Sequence, residues 1–458
     1  MSFRSSGARV DSAAEEIATV AALTHEGEGI VRSGKTVFVA GALPGETIRF
    51  RRVRRHRQHD DGLLLEVMEP SSARVVPKCA HFGICGGCAL QHLSPEAQLE
   101  AKQGELRDNF ERLARVSPQT WLEPLRGPIW GYRRRARLGA KYVIKKERVV
   151  VGFRERLAPY VAAVERCEVL AEPVGAMIAP LSVLLTQLSI RERLPQIEVS
   201  IADNAIAMVL RVLDPPTPED CAKLREFAAA RGVRFYLQPK GLDSIRALDT
   251  PAGGLEPLRY SLPKFGIELE FSPTDFVQIN GPVNEAMVSR ALQLLDLSAD
   301  STVLDLYCGL GNFTLALAKV AGLVVGVEGD RMLVERARHN AARNAICNAQ
   351  FHTADLSKPL PPEAPWVRGP YSHVLLDPPR AGAREMLPTV AALSPRSIVY
   401  ISCHPGSLAR DVGILVHEHG FHLQAAGVLD MFPHTGHVES IAVLTPGTAK
   451  SLKGVRTG

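Results

Sequence analysis

The chain has 458 residues, 46% of them hydrophobic and 22% charged, with a formal net charge of +5. That length accommodates about two to four domains, and the composition is that of an ordinary soluble protein whose mild charge says less than its distribution. Met1 to Glu16 includes Asp11, Glu15 and Glu16 and has no apolar core, so no secretory signal is expected. The longest apolar stretch, Val174 to Ile190, is interrupted by Pro180, Ser182, Thr186 and Gln187, which suits a core helix and excludes a membrane span. A cytoplasmic location is expected. There the eight cysteines (Cys79, Cys85, Cys88, Cys167, Cys221, Cys308, Cys347 and Cys403) are reduced and serve as metal ligands or nucleophiles rather than disulfides.

Residues 1–14 read as disordered. Over 15–72, the runs Ile17 to Val20, Gly29 to Val31, Thr36 to Val39, Glu46 to Phe50 and Leu63 to Val67 predict five short strands separated by glycine turns. Such a series predicts an OB-like β-barrel. Arg49, Arg51, Arg52, Arg54, Arg55 and Arg57 crowd one segment of it, with Phe50 and Val53 interleaved. Asp60 and Asp61 are too few to neutralise them, which favours binding of a nucleic-acid backbone over a merely solvated strand edge.

Residues 73–283 predict a central α+β domain. It opens with Cys79, Cys85 and Cys88 in a glycine-rich loop, a C-x5-C-x2-C spacing that marks a metal-ligand loop. Four thiolates hold either tetrahedral zinc or a [4Fe–4S] cluster, and Cys167 is the best fourth ligand. A triplet plus one distant cysteine leans towards iron–sulfur. Ser94 to Val116 predicts an amphipathic helix with Pro95 in its first turn. Arg133, Arg134, Arg135, Arg137 and Lys141 form a second basic set, either a nucleic-acid groove or plain surface.

From 284 to 458, helices alternate with apolar strands, the pattern of a parallel sheet in a Rossmann-like α/β domain. The strand Thr302 to Leu306 leads into a turn with Gly309 and Gly311. Glu328 ends the next strand, where an acid grips ribose hydroxyls, and Asp355 follows the third. Asp305 before the turn and the missing third glycine suit S-adenosylmethionine better than NAD. Asp377-Pro378-Pro379-Arg380 closes a further strand, a place for gripping a base edge. The buried run Ser397 to Ile401 is followed by Cys403 and then by Pro405, which suits a first helical turn. Cys403 therefore sits at the carboxyl end of a strand near a helix N-terminus, where a thiolate is favoured. A thiolate adding to uracil C6 makes C5 reactive towards an electrophilic methyl group, and a base must then remove the C5 proton. Glu439, presented with His434 and His437 by the Asp430 to Ser440 loop, is the candidate base.

These motifs, together with Phe276-Val277-Gln278-Ile279-Asn280, resemble the RNA (uracil-5-)-methyltransferases from about residue 15 to 445, and within them the bacterial 23S ribosomal RNA branch. The resemblance implies a TRAM barrel that recognises RNA and a [4Fe–4S] cluster on Cys79, Cys85, Cys88 and Cys167. It also implies S-adenosylmethionine held by Gln278, Tyr307, Asn312, Glu328, Asp355 and Asp377, with Cys403 as nucleophile and Glu439 as base. His404 stands where the family usually has asparagine. The expected activity is C5-methylation of a uridine in 23S ribosomal RNA by a monomer with no membrane and no obligate protein partner. The alternatives are a transfer RNA uracil-5-methyltransferase and a non-catalytic iron–sulfur RNA-binding protein.

Overall fold

The computed structural model describes residues 14–24, 26–156, 158–250, 256–358 and 364–447; nearly all of the segment 1–14, expected to be disordered, lies outside them. Five strands, β1 (Glu16–Leu23), β2 (Glu28–Ser33), β3 (Lys35–Ala40), β4 (Thr47–Arg55) and β5 (Asp60–Glu69), close into a barrel in the order β1-β2-β3-β5-β4. Strand alternation explains its core: Ile48 and Phe50 of β4 point inward beside Val20, Val31, Val37 and Val39, while the intervening arginines face out. Register shifts at three places in the β4–β5 pair bend the ribbon enough to close the barrel.

The middle of the chain holds α1 (Pro95–Asn109), β6 (Thr120–Trp121), β7 (Arg135–Val143), β8 (Arg148–Gly152), α2 (Val174–Thr186), β9 (Gln196–Ile201), β10 (Ile206–Arg211), α3 (Pro218–Arg231), β11 (Val233–Gln238) and β12 (Arg246–Ala247). The sheet order is β12-β11-β10-β9-β7-β8, with α2 against β8 and α3 against β11. Ser94 Oγ caps α1 by accepting from Ala97 N, and a π-helical turn over Phe110–Ala114 extends the helix. Leu99 and Leu106 on α1, with Phe110 of the π-helical turn, share a core with the C-terminal sheet rather than with the middle one.

The C-terminal part comprises the hairpin β13 (Leu258–Leu262) and β14 (Ile267–Phe271), then α4 (Gly281–Leu295), β15 (Thr302–Leu306), α5 (Thr314–Ala318), β16 (Leu323–Glu328), α6 (Arg331–Arg343), β17 (Ala349–Thr353), β18 (His373–Leu376), α7 (Leu387–Ala392), β19 (Ser397–Ser402), α8 (Pro405–His417), β20 (Phe421–Leu429) and β21 (Glu439–Pro446). Its sheet runs β17-β16-β15-β18-β19-β21-β20-β6. The first five strands are parallel, and β16, β15, β18 and β19 are buried on both faces, which explains their near-continuous apolar sequence, while the edge strand β17 is more exposed. Strand order reverses between β15 and β18, and the crevice at the carboxyl ends of those strands is where such sheets take ligands. β6 adds an eighth strand that two residues of sequence could not announce. Among the described residues, no helix is long and apolar enough to cross a membrane.

Candidate active site

The turn after β15 is shaped for close backbone approach. Gly311 takes a φ of +98°, which L side chains rarely adopt, and Tyr307 is itself left-handed at +66°. Glu328 at the end of β16 reaches back across the crevice: its Oε2 accepts from Gly309 N at 3.1 Å, and Oε1 accepts from Gly329 N and Asp330 N. Asp305 lies fully buried behind the turn; Thr314 Oγ1 donates to its Oδ2 at 2.5 Å, while Oδ1 has no partner among the described residues. Burial, with Asp377 and Glu328 nearby, pushes the Asp305 carboxyl up to about 7. Burial pushes Asp377 up to about 7 as well.

The six residues expected to hold a nucleoside cofactor are placed differently from one another. Glu328, Tyr307 and Asp377 rim the crevice ends of β16, β15 and β18. Gln278 lines an adjoining cavity with Arg134, Tyr260 and Asn284. Asn312 is already engaged: its amide pairs reciprocally with that of Asn284 at 2.9 Å, and its Oδ1 also accepts from Tyr260 OH at 3.1 Å. Asp355 is exposed, accepts from Ser357 Oγ at 2.6 Å and pairs with Lys358 at 2.6 Å. These contacts hold its carboxyl down at about 2. Tyr260 and Asn284 had no motif to reveal them, because their role arises only when the β13–β14 hairpin and α4 meet the turn.

One sheet register assembles the reacting groups. β21 runs antiparallel to β19 with Ser440 opposite Ser402, so Glu439 and Cys403 flank the end of that pair. Burial pushes the Cys403 thiol up to about 11, with the charges of Glu439 and Asp377 adding to the rise and Arg380 opposing it. Glu439 is buried and its carboxyl is pushed well above the usual range, chiefly by burial and then by Asp377, again opposed by Arg380. The helix N-terminus expected to favour a thiolate is present, since Pro405 opens α8, but desolvation and the acids outweigh it. His404 caps that helix: its Nδ1 accepts from Ser407 N at 3.1 Å, the same service an asparagine side chain would give. His437 lies 3.4 Å from Arg380, whereas His434 is buried and stacks on Trp130 at 3.9 Å.

Cys79, Cys85, Cys88 and Cys167 line a single cavity with Arg133 and Phe153. Gly86 lets the cysteine loop approach the 153–156 segment, because a Cβ there would stand 2.9 Å from the Arg154 carbonyl. Burial pushes Cys85 up to about 11, Cys88 up to about 12, and Cys167 upward too, with the neighbouring sulfurs adding to each. Four such thiols around one space fit a cationic centre, which would favour their ionised forms. The arginines are divided. Arg49 pairs with Glu66, and Arg52 with Glu16 and Asp60. Arg51, Arg54, Arg55 and Arg57 are exposed and make no ion pair among the described residues. The second basic set is largely committed, with Arg134 on Asp203 and both Arg135 and Arg137 on Glu198.

The family profile of the tRNA (uracil-5-)-methyltransferases matches residues 263–446. The 23S rRNA (uracil(1939)-C(5))-methyltransferase RlmD of Alkalilimnicola ehrlichii is 50% identical over 425 residues, covering 93% of this chain and 95% of that protein. The chain belongs to the RNA (uracil-5-)-methyltransferase family. The enzyme of the same description from Methylococcus capsulatus is 47% identical over 439 residues, covering 95% of this chain and 98% of its own length. The fold is similar to that of the Pyrococcus abyssi tRNA (uracil-54, C5)-methyltransferase, solved in complex with S-adenosyl-L-homocysteine. That likeness has a TM-score of 0.70 at 23% identity and covers 94% of this chain and 100% of the other. The matched profile contains the crevice, Cys403 and Glu439, whereas the barrel and cysteine loop precede it.

Proposed function

We propose that this chain methylates C5 of one uridine in 23S ribosomal RNA, at the position its relatives' descriptions number 1939, using S-adenosylmethionine. The observation that carries the reading is the side-by-side placement of Cys403 and Glu439 at the mouth of the cofactor crevice. Uracil C5 is a poor nucleophile. The Cys403 sulfur adds to C6, forming the S–C6 bond while the C5–C6 π pair moves into an enolate on O4. When bound, S-adenosylmethionine supplies the methyl cation that C5 takes up. Glu439 then removes the C5 proton; the C5–H pair re-forms the C5=C6 bond and the thiolate leaves. Arg380 opposes the negative charges that disfavour both working forms, the thiolate and the carboxylate. Gln278, Tyr307, Glu328, Asp355 and Asp377 hold the cofactor, and Asn312 shapes its turn through Tyr260 and Asn284.

The target uridine must be unstacked and flipped into the crevice, at a cost of a few kcal/mol. Arg51, Arg54, Arg55 and Arg57 of the barrel supply phosphate contacts. Cys79, Cys85, Cys88 and Cys167 hold a [4Fe–4S] cluster in a structural or RNA-shaping role. Support for a cluster over zinc comes from spacing. Three of the cysteines lie within ten residues and the fourth is distant in sequence, whereas zinc ligands more typically arrive as two close pairs. The enzyme works as a monomer in the cytoplasm. Mapping 5-methyluridine in 23S and transfer RNA from cells with and without this protein tests the reading. Loss of one 5-methyluridine from 23S RNA is expected; loss from transfer RNA alone would overturn it.

A further inference from the structure

Residues 430–438 join β20 to β21 and lead directly into Glu439. The loop has no ladder of its own, so its shape is imposed from outside. The constraints come from the chain just beyond the cysteine loop. Ala89 N and Leu90 N both donate to the His434 carbonyl, at 2.8 and 2.9 Å, and Ala89 directly follows Cys88. From α1, Gln98 Oε1 accepts from His434 N at 2.8 Å, while Gln98 Nε2 donates to the carbonyls of Leu90 and Leu93 at 3.0 and 2.8 Å. One turn on, Lys102 Nζ donates to Asp430 Oδ1 at 2.8 Å and to the Phe432 carbonyl at 2.9 Å. Tyr132 OH, itself beside the cysteine cavity, donates to the Pro433 carbonyl at 3.0 Å. His434 is held left-handed at φ +65° under this clamp.

Gln98 is the hub, because it alone among these side chains grips both partners. It is 3% exposed and Lys102 is 2% exposed, polar groups at i and i+4 on the buried face of a helix. Buried polar groups are expensive unless fully paired, and here every bond of Gln98 goes to the two segments in question. Cys403 is held differently: it follows β19, a central strand fixed by its neighbours β18 and β21. The side-chain bonds of Gln98, Lys102 and Tyr132 to the site fall on the loop before Glu439, and none of them reaches Cys403.

We propose that Gln98 is a positioning residue for the proton-abstraction step. Together with the backbone of Ala89 and Leu90, it locks the exit of the cysteine loop to the loop that presents Glu439, so order in the cysteine loop is relayed to the base. This rests on Cys403 and Glu439 acting as nucleophile and base. A residue that merely stabilised the fold would weaken both halves of the reaction; a positioning residue on the base side separates them. Displacing a reacting group by about 1 Å costs about 10²-fold in rate.

The test uses the full-length, cluster-loaded protein as wild type, Gln98→Met and Tyr132→Phe, with Asp220→Asn as a control that weakens the carboxylate bonds from Thr217 N and Ser189 at the start of α3, far from the loop. Adduct formation with 5-fluorouridine RNA reads attack and methyl transfer; tritium release from C5-labelled uridine RNA reads proton abstraction. Gln98→Met should leave adduct formation within about twofold of wild type, slow tritium release by about 10²-fold and accumulate the methylated covalent complex on ordinary RNA. Tyr132→Phe, which removes a single donor, should move the same ratio the same way by less. Asp220→Asn should not move it. Equal loss of both readouts in Gln98→Met, or an unchanged ratio, overturns the proposal. If Gln98→Met does not fold, an unchanged ratio in Tyr132→Phe overturns it. Absence of adduct and methyl transfer in wild type would instead sink the underlying reading of Cys403 and Glu439.

Discussion

Ser440 Oγ donates to the Ser402 carbonyl at 3.2 Å, across the antiparallel pair β21 and β19. That bond closes the ladder, and the next residue on each strand's open end is a candidate for chemistry: Cys403 on one, Glu439 on the other. A slip of one residue would send every side chain of β21 to the opposite face.

Cys403→Ala should abolish both methyl transfer and adduct formation with 5-fluorouridine RNA, a loss on the order of 10⁴-fold or more. Glu439→Gln should retain attack and methylation but trap the RNA on the protein, seen as a shifted band on a denaturing gel. A trapped band in Cys403→Ala would reassign the nucleophile.

Alkylation of Cys403 should respond to its acidic surroundings. With its thiol pushed up to about 11, mainly by burial, labelling by iodoacetamide should climb steeply above pH 9. Asp377→Asn removes a negative neighbour and should shift the profile to lower pH; Arg380→Gln should shift it higher. Peptide mass spectrometry distinguishes Cys403 from the exposed Cys347.

Stability of the cofactor-free protein should fall as pH rises from about 4 to about 7 at Asp305. Its folded carboxyl sits near 7 and its unfolded one near 3.8. Over that window the unfolded chain releases a proton that the folded chain keeps, so rising pH favours unfolding. Asp305→Asn should flatten this slope in thermal melts recorded across pH. An unchanged slope would show that Asp305 ionises freely in the folded state.

Each of Cys79→Ser, Cys85→Ser, Cys88→Ser and Cys167→Ser should lose the brown absorbance and iron of a [4Fe–4S] protein, whereas Cys221→Ser and Cys347→Ser should keep both. Recovery of one zinc and no iron from anaerobically purified wild type would count against the cluster.

Replacing Arg51, Arg54 and Arg55 together by glutamine should weaken RNA binding and flatten its salt dependence by about 0.7–0.9 in log–log slope for each lost phosphate contact. Arg49→Gln should change the slope little, because its guanidinium already faces Glu66 and Glu15.

Sequence by itself determined what local chemistry encodes. Alternation and glycine turns specify the five barrel strands, continuous apolar runs specify β15, β16, β18 and β19, and Pro95 and Pro405 open α1 and α8 as first-turn prolines should. Cysteine spacing likewise predicts a ligand loop, and Cys79, Cys85, Cys88 and Cys167 line one cavity. Only tertiary structure decided which side chains are free and which are spent. It committed Asn312 to Tyr260 and Asn284, and Arg52 to Glu16 and Asp60. It also carried α1 onto the C-terminal sheet, which turned Gln98 and Lys102 from ordinary polar residues into the clamp on the Glu439 loop. The physical reason is range: periodicity, caps and turns act over a few residues, whereas partners, burial and strand register are set by segments hundreds of residues apart.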